Sequence, residues 1–137
     1  NAIRPWQHVL EPLHGYLTLA QKLWEEGDSY SGGWNFAPND VDVKPVSWIV
    51  KYITEKWGSS ASWIVENSAQ PHEAHYLKLD CSKAKSTLGW HPMWELEKTL
   101  DSVVDWYRAN ENNENIREFT FRQIEAFSNL LIKKIER

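Results

Sequence analysis

Apolar residues at Val9, Leu10, Leu13, Tyr16, Leu17, Ala20, Leu23 and Trp24 return every three or four positions, which predicts a helix over 9–26 that Gly27 stops. Trp24 and Trp57 fall on the apolar stripes of their helices and are expected in the core. Residues 27–33 read as loop, Trp34-Asn35-Phe36 as a short strand, and Pro38-Asn39-Asp40 as its closing turn. Pro45 suits a first helical turn, and Val46, Ile49, Val50, Ile53 and Trp57 follow with period 3.6 up to Gly58. Two β-prone segments, 62–66 and 75–79, flank a loop containing Asn67, Ser68 and Pro71. Asp80 or Ser82 can cap a short helix that Gly89 ends, and Leu96, Leu100, Val103, Val104 and Tyr107 mark another. Thr120-x-x-Gln123 has capping-box spacing for a last helix, whose stripe is Ile124, Phe127, Leu131 and Ile135. That amphipathic helix is expected to pack on a partner. The fold class is therefore α+β, mainly helical with three short strands, and such strands usually belong to a larger sheet.

Composition narrows the function classes. The 137 residues carry 15 basic and 19 acidic side chains, a formal charge of −4, with 42% apolar and 25% charged residues. That fits one globular domain rather than a disordered chain. Without a Lys/Arg cluster the electrostatic footprint of a nucleic-acid binder is missing. No apolar run reaches the roughly 20 residues needed to span a bilayer, and no signal peptide is visible, so a cytoplasmic protein is expected. Cys81 is the single cysteine and no Asn-x-Ser/Thr acceptor occurs, which fits a reducing compartment. A start at Asn1 without an initiator Met reads as a piece of a longer protein.

Several patterns carry less chemistry than they suggest. His72 and His75 are three apart, not the four that two zinc ligands on one helix face require, so no metal site is expected. Tyr52 and Lys56 match the Tyr-x-x-x-Lys spacing in which a lysine lowers a tyrosine pKa for proton transfer. No Gly-x-Gly-x-x-Gly loop precedes them, and a chance pairing on an amphipathic helix is the expected reading. The six glycines form no phosphate cradle, so no cofactor is expected on this chain. Arg4, just before the first helix, offers a fork of donors to a phosphate, although most isolated arginines are simply exposed. Nine tryptophans make sugar or base stacking a second possibility, against the ordinary reading that they fill the core.

One ordered series of motifs points further: Arg4-Pro5-Trp6-Gln7-His8-Val9-Leu10-Glu11-Pro12-Leu13, Trp34-Asn35-Phe36-Ala37-Pro38, Pro71-His72-Glu73-Ala74, Asp80-x-Ser82-Lys83-Ala84, and Leu88-Gly89-Trp90-x-Pro92. Together they resemble the C-terminal part of the extended short-chain dehydrogenase/reductase family of nucleotide-sugar enzymes. The first and third motifs point to its CDP-glucose branch.

The resemblance implies a parent with an N-terminal Rossmann domain holding NAD, a smaller C-terminal portion closing over CDP-glucose or a related nucleotide sugar, and an assembly of like subunits. It also implies a dehydration in which C4 is oxidised, water leaves across C5 and C6, and hydride returns to C6. Residues 1–137 would be the nucleotide-sugar-binding portion, with the N-terminal NAD-binding domain absent. The family's catalytic pair precedes the arginine motif, so Tyr52 and Lys56 do not match it and no catalytic residue is expected here. Arg4 matches the diphosphate-contacting arginine, and His72 and Glu73 match the segment near the ribose. Where related thymidine-sugar enzymes carry an arginine before that proline, this sequence has Gln70. Asn35 and Trp90 match structural positions, and Trp6 and His8 are expected to orient Arg4. The remaining alternatives are another epimerase or dehydratase of the family, a stand-alone sugar or nucleotide module, and a structural fragment.

Overall fold

The computed structural model describes residues 2–58, 61–65 and 75–135. Five helices dominate: α1 (Leu10–Glu26), α2 (Val46–Trp57), α3 (Ser82–Leu88), α4 (Leu96–Glu111) and α5 (Ile116–Ile135). Two dipeptide strands, β1 (Ile3–Arg4) and β2 (Lys44–Pro45), pair antiparallel with Ile3 opposite Pro45 and Arg4 opposite Lys44. Pro45 has no N–H for a further ladder, which suits an edge position. On the other side of β1, Tyr76 makes a parallel bridge to Ile3. There the Ile3 N–H donates to the His75 carbonyl at 2.9 Å, and the Leu77 N–H donates to that of Ile3 at 3.2 Å.

The core lies in two clusters. Phe36, Ala37, Cys81, Ala84 and Trp90 bury one between α1 and α3, while Ile49, Leu96 and Leu100 bury the other between α2 and α4, with Trp6, Trp48, Tyr52 and Ile53 packed around it. Gly15 lets α1 approach the first cluster, because a Cβ there would meet the Phe36 ring. Gly89 ends α3 at φ 64°, a left-handed conformation in which its N–H donates to the Ala84 carbonyl. Trp90 follows at 1% exposure, the structural position expected of it.

Five sequence expectations change. Residues 34–36 are not a strand: Asn35 and the carbonyl of Phe36 are engaged by the Asp80 carbonyl and the Gln7 side chain, at 3.1 and 2.8 Å. Residues 61–65 form no strand either, and Ile64 is 92% exposed. Residue 66, the end of that expected strand, lies outside the described residues. Of 75–79 only Tyr76 is bridged, since β-propensity is realised only where a ladder partner exists. The last helix begins at Ile116 rather than near Thr120, because the Asn115 Oδ1 accepts the Glu118 N–H at 3.2 Å and serves as the cap. Thr120 sits inside the helix, donating to the Ile116 carbonyl. Trp24, expected in the core, is 89% exposed, whereas Trp57 is half-buried.

Candidate functional site

The segment from Arg4 to Glu11 is held at nearly every position. The Arg4 Nη1 donates to the Ile3 carbonyl at 2.8 Å, and a tight turn at Pro5 brings the Trp6 N–H to the Arg4 carbonyl at 3.1 Å. The Trp6 indole N–H then crosses to the Lys44 carbonyl on β2 at 3.2 Å, and the Gln7 amide reaches the Phe36 carbonyl. His8 is buried; its Nδ1 accepts the Leu10 N–H at 3.3 Å, and its ring stands edge-on to Trp94 at 4.8 Å. Burial, and after it the Lys98 ammonium, lowers the His8 pKa. The described bonds of Trp6 and His8 thus go to the fold rather than to the Arg4 guanidinium.

Glu11 ends this segment and is fully buried. Its Oε1 accepts the N–H groups of Met93 and Trp94 at 2.9 and 2.7 Å, and its Oε2 shares that of Met93 at 3.0 Å. Burial raises its pKa, and those two N–H bonds pull it back. Nearby, the buried Asp42 accepts the Leu96 N–H at 3.0 Å and caps α4 from a distance, while its Oδ2 has no partner. Two carboxylates from separate segments therefore organise the entry to α4. From sequence, Glu11 reads as an ordinary first-turn acid and Asp42 as loop, so neither stood out.

The Tyr52–Lys56 pair is a clamp between helices. The Tyr52 hydroxyl donates to the Asp101 Oδ1 at 3.0 Å, and the Lys56 Nζ lies 3.0 Å from the same oxygen. Burial and then the Asp101 carboxylate push the Tyr52 pKa up, opposite to what proton abstraction needs. Cys81 is a buried thiol aimed at the Ala37 carbonyl. Asn35 donates to the Asp80 carbonyl and fixes a loop rather than a strand end. His72 and Glu73 lie outside the described residues. His75 is exposed beside the β1 ladder. Among the described residues no group of three or more His, Cys, Asp or Glu side chains is placed to hold a metal, and no helix is long and apolar enough to cross a membrane.

A cleft of about 330 Å³ runs between α1, α4 and α5, lined by His8, Leu13, Val103, Trp106, Tyr107 and Ile124 among others. The outer face of α1 continues it with Val9, Tyr16, Leu17 and Trp24, all more than half exposed.

No protein-family model matches the chain. Comparison with curated proteins finds it similar in sequence to nucleotide-sugar 4,6-dehydratases. It is 27% identical over 124 residues to the dTDP-glucose 4,6-dehydratase of Shigella flexneri and 26% identical over 124 residues to that of Escherichia coli, each match covering 89% of the chain and 34% of the relative. It corresponds more strongly to CDP-glucose 4,6-dehydratase, being 51% identical over 126 residues to that of Salmonella typhimurium, across 92% of the chain and 35% of the relative. The chain thus spans about a third of the length of the curated relatives it matches and corresponds to a C-terminal portion of such an enzyme.

Proposed function

We propose that this chain is the nucleotide-sugar-binding portion of a CDP-glucose 4,6-dehydratase and does not turn over by itself. The observation that carries the reading is the 51% identity across 92% of the chain, set against only 35% of the relative. On this reading Arg4 binds the diphosphate of CDP-glucose, and His72 and Glu73 lie near its ribose. Trp6 and His8 act indirectly, by fixing the segment that follows the Pro5 turn.

The rest of the parent supplies a Rossmann-type domain and NAD. The glycines of this chain form no dinucleotide loop, so its residues do not fit that cofactor and no hydride step is assigned to them. What this chain supplies is binding energy and position, which become catalysis only when a hydride carrier and a proton-transfer group stand opposite. The exposed apolar face of α1 supports the same division. A contiguous stripe of Val9, Tyr16, Leu17 and Trp24 is a docking surface, and roughly two-thirds of the relative's length lies outside this chain to cover it.

Calorimetric titration of the chain with CDP-glucose, UDP-glucose and free glucose tests the reading. The expected result is preference for CDP-glucose with no keto-sugar product. Saturating preference for free glucose would mean a stand-alone sugar module instead. Turnover by these 137 residues, or no binding of either nucleotide sugar, overturns the proposal.

A further inference from the structure

We propose that His14 and Lys134 form a proton-sensitive latch that fastens the second half of α5 to α1 and releases it in mild acid. The first half of α5 is tied to α4: the Trp106 indole N–H donates to the Thr120 Oγ1 at 2.9 Å, and the Gln123 amide donates to the Ser102 carbonyl at 2.7 Å. Beyond Gln123, no hydrogen bond or ion pair joins α5 to another element among the described residues. Phe127 anchors that half instead, as the one buried side chain of α5 among the described residues. Its ring stands edge-on to Trp94 at 5.3 Å and to His14 of α1 at 6.1 Å, and Trp94 stands edge-on to His8 at 4.8 Å. The attachment is therefore a row of four rings with a histidine at each end.

His14 can take a proton only at the expense of this attachment. It is half-buried, and its Nδ1 lies inside the protein without a hydrogen-bond partner. An imidazolium carries a proton on both ring nitrogens, so protonation of the docked form leaves a buried, charged N–H unpaired. The charge that acts on it from α5 is a second cation, Lys134, which also acts on Glu11 of α1 and on His91 of the loop before α4. Glu11 is already engaged by the Met93 and Trp94 N–H groups, and Lys98 of α4 acts on His8 at the far end of the row. Burial, and after it Lys134, hold the His14 pKa below its ordinary value of 6.5. Docking is therefore fully stabilised above that value, and below it the open form takes up a proton that the docked form refuses. Lys134 is exposed near the end of α5, so its repulsion acts where the helix is free to move away.

Hydrogen exchange of the 137-residue chain, read by mass spectrometry with the intrinsic pH dependence divided out, tests the latch. Between about pH 7.5 and about pH 5.5 the opening of residues 124–135 is expected to increase about tenfold, the linkage of one histidine kept from its proton about one unit below its ordinary value. At both pH values α2 should exchange more slowly than residues 124–135. His14→Phe, which keeps a ring against Phe127 and cannot titrate, should abolish the increase. Lys134→Gln, at an exposed position that folding does not depend on, should reduce it. If residues 124–135 and α2 exchange together, the opening is one global unfolding and there is no latch. If the increase persists in His14→Phe, or keeps its size in Lys134→Gln, the acid response belongs to other groups and the proposal is overturned.

Discussion

The entry to α4 and the outer face of α1 are opposite kinds of protein surface, although one helix contributes to both. At the α4 entry, Glu11 reaches across from α1 and Asp42 from the loop before β2, and together they accept the N–H groups of Met93, Trp94 and Leu96. On the other side of α1, Leu17 and Trp24 are 73% and 89% exposed. The first region is finished in its backbone: the N–H groups of Met93, Trp94 and Leu96 all find carboxylate acceptors inside the chain, and the clamp of Tyr52 and Lys56 on Asp101 closes the adjoining α2–α4 contact. The second is a helix face whose apolar side stands largely exposed among the described residues. A chain that corresponds to a third of its relatives should look like this, with native order where its contacts are internal and bare apolar surface where they are not.

Glu11→Ala should break the finished region most severely. It removes the acceptor for two loop N–H groups in a site with no water access, and the expected loss is about 3 to 5 kcal/mol, as for removing one partner of a buried charged group. Thermal or urea unfolding checks this. A loss below about 1 kcal/mol would mean that the loop re-pairs its N–H groups elsewhere.

A smaller effect follows from acid. His8 and His14 both have lowered pKa values, burial being the main cause in each. Protons therefore bind the unfolded chain more readily than the folded one as pH falls through the ordinary histidine value of 6.5. The contribution is fully present above that value and is lost below it. His8 adds a specific reason, because its Nδ1 must remain an acceptor for the Leu10 N–H. The thermal midpoint should fall between about pH 7.5 and about pH 5.5, and His8→Asn should flatten that slope. An equal slope in the variant would assign the acid response to other groups.

The helices were legible because their apolar period is long and repeated, and α2 and α3 stand where the pattern put them. The strands were not, since 34–36 and 61–65 have β-prone residues but no neighbouring ladder, and ladder pairing cannot be read from a local segment. The start of α5 was missed because Asn115 capping Glu118 competes with an equally plausible pattern four to five residues on, at Thr120. At the site, the residues from Trp6 to Glu11 were legible as a motif but not as anchors. Their partners lie near residues 36, 44 and 94, and nothing along the chain announces such distances.

The smallest stability effect belongs to the unfinished region and sharpens the contrast most. Leu17→Glu replaces a side chain that makes little contact within the chain, so unfolding should change by no more than about 0.5 kcal/mol, the usual range for an exposed position. The same substitution places a charge in the middle of the α1 stripe, between Leu13 and Trp24, and should reduce both the binding of an apolar-surface dye and the tendency of the chain to self-associate. It should also abolish pairing with a separately supplied N-terminal portion of the parent enzyme, because a carboxylate desolvated in an apolar interface has no partner there. Unchanged stability together with lost pairing would establish the face as an interdomain surface. Lost stability would mean that Leu17 supports α1 itself, and unchanged pairing would move the contact to another face.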